Sequence, residues 1–291
     1  MILMTLSDNE FFYIKKYIEE ICGISLGDDK AYLVETRLSR LLEETGICDF
    51  GSLCSMISSR SIPDKLSRKI VDAITTNETL WFRDITPWIV LKDRLMPEYI
   101  DDLRSGRKKR IRIWSAGCST GQEPYSIAMN IDSYLELNGI RDISLNDFEI
   151  AATDISSPAL AAAEAGVYDS IAISRGLPEL YRNIYFKSDS KSWRLDKKIR
   201  SAVSFRWFNL QDSFVLYERM DAIFCRYVLI YFSNKLKNSI LEKLAKSLNH
   251  RGKLFLGSSE LHPEYGANFE MENYRGGIYY EVKSTKEGIH Y

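Results

Sequence analysis

Residues 111–128 read IRIWSAGCSTGQEPYSIA. The run looks like a strand through Ala116, a turn built on Gly117 and Gly121, and a helix opening near Glu123. From Ile111 onward the same grammar repeats. FEIAATD is followed by a helix in SPALAAAEA, then by the strand-like VSFRWFNL. AIFCRYV precedes a helix in NKLKNSILEKLAKSL, and KLFLGSS follows it. NFEMEN and GIYYEV close the chain as a pair joined by a turn at Arg275-Gly276-Gly277. Strands alternating with helices predict a mixed, mostly parallel sheet of about seven strands, covered on both faces and ending in an antiparallel hairpin. Such sheets bind ligands at the carboxyl ends of their strands.

Upstream the grammar is different. Ser7 and Glu10 make a capping box, and Phe11, Ile14, Ile18 and Ile21 follow at helical spacing before Gly23. A second helix runs through AYLVETRLSRLLEE, with Arg37 and Arg40 to one side of its apolar stripe. Shorter helices follow around FGSLCSMIS and DKLSRKIVDAI. Residues 1–85 therefore read as an all-α domain. Thr86-Pro87 opens a further helix, with a break expected at Pro97. RSGRKKR, residues 104–110, is polar, so 86–110 is expected to be a linker helix and a flexible linker, and 111–291 the α/β domain. Between about 166 and 201 the alternation lapses into turns and short β-rich runs, the pattern of a small inserted β-subdomain.

The chain has 291 residues, 45% of them hydrophobic, and a net charge of -1 from 39 basic and 40 acidic side chains. The charge balance argues against a dedicated nucleic-acid binder. Cys22, Cys48, Cys54, Cys118 and Cys225 include no Cys-x-x-Cys pair, and His250, His262 and His290 lie far apart, so neither a disulfide framework nor a metal site is expected. The N-terminus does not read as a signal peptide. The longest apolar run, AIFCRYVLIYF, is too short to span a bilayer. The expectation is a cytoplasmic protein without membrane insertion.

The Gly turn admits two readings, an ordinary strand-to-helix turn or a ligand cradle. It is neither a P-loop nor a Gly-x-Gly-x-x-Gly turn. Glu123 at the helix start would oppose an anionic ligand and favour a positive one. Asp154, ending AATD, suits ribose hydroxyls. A ribose with a cation and no pyrophosphate fits S-adenosylmethionine.

Several stretches taken together resemble one family. TTNETLWFRD (75–84), WSAGCSTGQEPYSIAM, AATDIS, SFRWFNL and IFCRYVLIYF are similar, in this order, to the chemotaxis-receptor methyltransferases, the CheR family. The resemblance implies a Rossmann-like methyltransferase fold with a small β-subdomain behind an all-α N-terminal domain. It implies methyl transfer from S-adenosylmethionine to glutamate side chains on the cytoplasmic helical domain of chemoreceptors. Asn77, Thr79 and Arg83 would reach the cofactor from the N-terminal side, with Gly117 in the turn, Glu123 at the amino-acid end, Asp154 at the ribose and Asn209-Leu210 at the adenine. Arg226 and Tyr227 would complete the cofactor contacts, and Arg83 and Tyr231 would flank the reacting methyl and the substrate carboxylate. Arg37 and Arg40 would help dock the receptor helix. The family commonly has Asn where this chain has Tyr227, and often Glu where it has Gln122.

A glutamate with a reference pKa near ~4.3 is already ionised at neutral pH, so its methylation needs alignment and desolvation rather than a general base. Without the resemblance, Trp81 and Phe82 read as core residues at a domain boundary, Arg37 and Arg40 as a solvated helix flank, and Tyr231 as a core aromatic. The competing functions are a methyltransferase of this fold acting on RNA or a small molecule, and a non-catalytic cofactor-binding scaffold.

Overall fold

The computed structural model describes residues 5–214, 218–260 and 268–283. Four helices come first: α1 (Asp8–Cys22), α2 (Ala31–Thr45), α3 (Phe50–Ser58) and α4 (Asp64–Ile74). The capping box at α1 forms as expected, with Ser7 and Glu10 each satisfying the other's backbone. Phe11, Ile14, Ile18, Val34, Leu38, Leu42, Leu53 and Ile70 bury this domain's core, against which Ile155 of the α/β domain also packs.

The chain then enters α5 (Ile85–Ile89), a π-helical turn (Val90–Leu95) and α6 (Met96–Arg104). Two expectations fail here for local reasons. The N-cap position falls on Asp84 rather than Thr86, yet Asp84 gives the helix no side-chain cap, because its carboxylate is drawn to Arg226 and Tyr227. The helix also does not break at Pro97. Just ahead of the proline the ladder widens, so that the Met96 N–H donates to the Leu91 carbonyl five residues back, and Pro97 begins a fresh α-turn in which its missing donor costs little.

The expected linker is held to the α/β domain along its length. Trp88, Leu91, Leu95, Met96, Tyr99 and Ile100 are buried in the same core as the sheet. Arg107 folds back on Asp101 and Asp102 of α6, and Lys108 reaches the sheet by pairing with the buried Asp221. Asp221 also accepts the Arg112 N–H at 2.9 Å and the Asn249 amide at 2.7 Å.

The α/β unit runs β1 (Ile111–Ala116), α7 (Gln122–Leu137), β2 (Phe148–Asp154) and α8 (Ser157–Ala165). A small subdomain follows: β3 (Val167–Tyr168), α9 (Ser170–Ser174), α10 (Glu179–Tyr185), β4 (Phe186–Asp189), β5 (Ser192–Leu195) and α11 (Lys197–Ser201). The main sheet resumes with β6 (Val203–Trp207), β7 (Met220–Cys225), α12 (Asn234–Ser247), β8 (Leu248–Leu256), β9 (Phe269–Tyr274) and β10 (Gly277–Val282). The seven strands are ordered β6-β2-β1-β7-β8-β10-β9, and β3-β5-β4 form a separate sheet. Pairing is parallel from β6 to β8, and β10 is antiparallel to both its neighbours. Arg275 and Gly276, both with positive φ, form the two-residue turn that hairpin twist favours.

The two domains are joined at the end of α1. Its last carbonyls lack helical partners, and side-chain amides supply them: Asn209 donates to the Ile21 carbonyl at 3.0 Å and Gln211 to that of Glu20 at 2.9 Å. The Ser25 N–H donates to the Tyr231 carbonyl at 2.8 Å. The strip between the domains is held to the subdomain at Trp81, which is 1% exposed. Its indole donates to the Ala172 carbonyl and packs edge-on against Tyr168 and Phe186. At Gly176, with φ +91°, an added Cβ would collide with the Trp81 carbonyl oxygen. Gly176→Ala is therefore expected to cost about 2 kcal/mol or more, read as a lowered midpoint in thermal or urea denaturation.

Candidate active site

The chain leaves β1 toward β2 on one side and returns to β7 on the other, which opens a crevice at the carboxyl ends of these strands. A cleft of about 1090 Å³, counted out to its open mouth, occupies this position. Every residue expected at the cofactor or the reacting centre lines it: Asn77, Thr79, Arg83, Gly117, Glu123, Asp154, Asn209, Leu210, Arg226, Tyr227 and Tyr231.

Its floor is built from strand ends. Gly117 has φ +81°, and a Cβ there would strike Val228, so only glycine lets the backbone take this path. Asp154 Oδ2 accepts the Ser119 N–H at 2.7 Å and Oδ1 the Ser156 N–H at 2.9 Å. Each oxygen so held keeps acceptor capacity. Burial pushes the Asp154 pKa up, against the pull of those backbone donors.

Glu123, at the start of α7, accepts from Ser115 Oγ at 2.8 Å and from Arg226 Nη1 at 3.0 Å. Burial raises its pKa and Arg226 works in the opposite direction. Arg226 Nη2 donates to Asp84 Oδ2 and to the Arg83 carbonyl, both at 2.7 Å. Arg226 Nε is a buried donor without a protein acceptor among the described residues. Arg226 thus bridges two carboxylates, Glu123 and Asp84, and keeps one donor unused.

The strip 75–84 crosses the cleft. The Asn77 carbonyl accepts from Ser119 Oγ at 3.0 Å, and its amide reaches Ser156 Oγ at 3.4 Å. Arg37 lies behind the strip, its Nη1 donating to the Ile74 carbonyl at 2.5 Å and its Nη2 to Thr76 Oγ1 at 3.2 Å. Arg40 points away into solvent and pairs with Glu44 one turn on. The two arginines that the sequence placed together therefore have different surroundings. Asn209 lines the cleft, but its amide is committed to the Ile21 carbonyl. Tyr231 stands near the mouth, half-buried, and burial lifts its pKa despite nearby Arg83 and Arg37. Its hydroxyl stays protonated at neutral pH.

Three contributors were not singled out from the sequence. Asp84 closes the quoted strip, but nothing in the pattern marks it as the acceptor for Arg226. Ser119 touches both Asn77 and Asp154. Glu260 accepts the Tyr227 and Gly257 N–H groups at 2.5 and 2.8 Å and so braces the loop after β7. Its only signal was an acid just beyond a strand-ending glycine.

A sheet of this order, with a Gly turn after its first strand and an acid ending its second, is a Rossmann-like methyltransferase domain. The family model described as CheR methyltransferase, SAM binding domain matches residues 77–278, and that described as CheR methyltransferase, all-alpha domain matches 9–75. Chemotaxis protein methyltransferase Cher2 of Pseudomonas putida is 41% identical over 281 residues, 96% of this chain and 100% of the relative. Chemotaxis protein methyltransferase 1 of Pseudomonas aeruginosa is 41% identical over the same shares of the two chains. A chemotaxis protein methyltransferase of Vibrio parahaemolyticus is 42% identical over 285 residues, 97% of this chain and 100% of the relative. The chain belongs to the CheR family of chemotaxis methyltransferases, and S-adenosylmethionine is its cofactor.

The residues present fit that cofactor. Asp154 has acceptor capacity that ribose hydroxyls could use, the Glu123 and Asp84 carboxylates suit a cationic group, and Arg226 Nε suits a carboxylate. Asp154→Ala is expected to weaken S-adenosylhomocysteine binding about 10- to 100-fold by titration calorimetry. It also frees two backbone N–H groups, so a lower melting midpoint should accompany the loss. An ionised Asp154 would be the acceptor for a ribose hydroxyl, and burial raises its pKa. Affinity should therefore be level around pH 7–8 and decline on acidification, starting above the ~3.9 of an ordinary aspartate.

Proposed function

We propose that this protein transfers the methyl group of S-adenosylmethionine to glutamate side-chain carboxylates on the cytoplasmic helical domain of chemoreceptors. The observation that carries the reading is that no base stands free in the cleft among the described residues. Among the described residues lining it there is no His or Lys. Asp154 is held by backbone donors, Glu123 by Arg226, and Glu78 by Arg175. Burial and low acidity silence the one thiol, with the Cys22 pKa pushed up to about 11. A hydroxyl or amine nucleophile would need a base to take its proton, whereas a glutamate arrives ionised.

The bound cofactor supplies an electrophilic methyl on a sulfonium. In this reading the chain supplies alignment. Asn77 and Thr79 close over the cofactor with the strip, Gly117 lets the backbone approach it, and Asn209-Leu210 wall the adenine end. Arg226 and Tyr227 border the amino-acid end. Arg83 orients the incoming carboxylate and the Tyr231 hydroxyl donates to it, a gentler hold that tolerates the loss of charge as the ester forms. Arg40, exposed on α2, meets an acidic receptor helix by exchanging its Glu44 partner, and Arg37 contributes positive charge while bracing the strip. The relatives' name, chemotaxis protein methyltransferase, supports the substrate class.

The test is transfer of a labelled methyl to purified chemoreceptor cytoplasmic domain. The product should be released as methanol by mild alkali, as a carboxyl ester is. An alkali-stable product would overturn the glutamate assignment. Tyr231→Phe is expected to lower kcat/KM about 10- to 100-fold with S-adenosylhomocysteine affinity unchanged.

A further inference from the structure

Tyr227 has a costly geometry. It is a bulky residue with φ +60°, a region such side chains rarely enter and one that marks function more often than accident. Its backbone is held there by Glu260. Its hydroxyl lies 2.5 Å from Asp84 Oδ2 and 2.8 Å from Ser258 Oγ, so the ring is fixed at both ends. The Arg83 guanidinium carbon stands 3.4 Å from the centre of that ring.

Arg83 itself is otherwise little constrained. Its side chain makes one long hydrogen bond, Nη1 to the Glu78 carbonyl at 3.4 Å, and it has no carboxylate partner among the described residues. Its main chain is pinned, because the Arg83 carbonyl accepts from Arg226 Nη2 and from the Trp88 indole at 3.1 Å. The guanidinium is thus covered on one face while most of its N–H edge stays open in the cleft. That is the arrangement a bidentate contact to a carboxylate requires.

We infer that Tyr227 is a positioning residue for Arg83: its ring is a platform, locked by Asp84 and Ser258, that holds the guanidinium edge-on to the substrate carboxylate. The inference rests on the role given to Arg83 under the proposed function. A tyrosine at this position, where the resembling family commonly has asparagine, supplies a π face that an amide lacks.

The test is a double-mutant cycle with Arg83→Ala, using Tyr227→Phe and Tyr227→Leu, read as kcat and KM for methyl transfer to receptor cytoplasmic domain. Tyr227→Leu removes the platform and is expected to lower kcat at least about tenfold, with KM for receptor changed less than about threefold. Tyr227→Phe keeps the ring and should lose less. On the Arg83→Ala background, Tyr227→Leu should change kcat less than about threefold, because the group it positions is gone. Equal losses on both backgrounds, or a Phe variant as impaired as the Leu variant, would overturn the inference. If the unmodified protein moves no methyl to receptor, the proposed function has failed. The same cycle is then read on S-adenosylhomocysteine affinity, where non-additive losses support the platform and additive ones reject it. Melting midpoints of all variants identify any loss that comes from misfolding.

Discussion

Arg226 is the cation on which the site depends. Its side chain is 1% exposed, and it joins the end of β7 to Glu123 on α7 and to Asp84 at the end of the cleft-spanning strip. Three pieces of chain far apart in sequence meet at one guanidinium. Loss of such a buried partner typically costs about 3–5 kcal/mol, because the carboxylates left behind remain out of water. Here Glu123, 13% exposed, would be stranded, whereas Asp84, 31% exposed, keeps access to water. The Glu123 and Asp84 carboxylates it gathers would suit a cationic group of a ligand, while the backbone amides of Ser119 and Ser156 hold Asp154.

Much of this was legible in the sequence because short-range patterns carried it. The strand-turn-helix at 111–128, the acid ending FEIAATD and the hairpin turn at Arg275-Gly276 are local signals, and each appears where its residues place it. The Gly turn, Glu123 and Asp154 were read from the strand-turn-helix pattern, and the other cleft residues came from the family resemblance, since nothing in the spacing alone lifts Tyr231 above a core aromatic. What stayed hidden depends on contacts across long separations. Asp84 looked like a strip residue until Arg226, 142 positions on, claimed it. RSGRKKR looked like a free linker because its partners, Asp101, Asp102 and Asp221, come from a preceding helix and a distant strand. Pro97 looked like a stop because a π-turn leaves no compositional trace.

The cleft and the domain boundary share residues. Asn209, expected beside the adenine, has its amide on the last turn of α1, and Tyr231 receives the Ser25 N–H on its carbonyl. Trp81 similarly ties the strip to the subdomain while Asn77, four residues earlier, is bonded to the floor of the cleft. The all-α domain is therefore part of the cofactor site's wall, and rotation of that domain would move the groups that line it.

The order of the main sheet has one more consequence. β9 is an outermost strand, with no strand paired to its other side among the described residues. An exposed edge of this kind can recruit a second molecule into a continuous sheet. Glu270 and Glu272 are exposed along β9, so two such edges brought together would set carboxylates against carboxylates. The same strand that completes the fold thereby carries like charge that opposes the pairing of two β9 edges from separate copies.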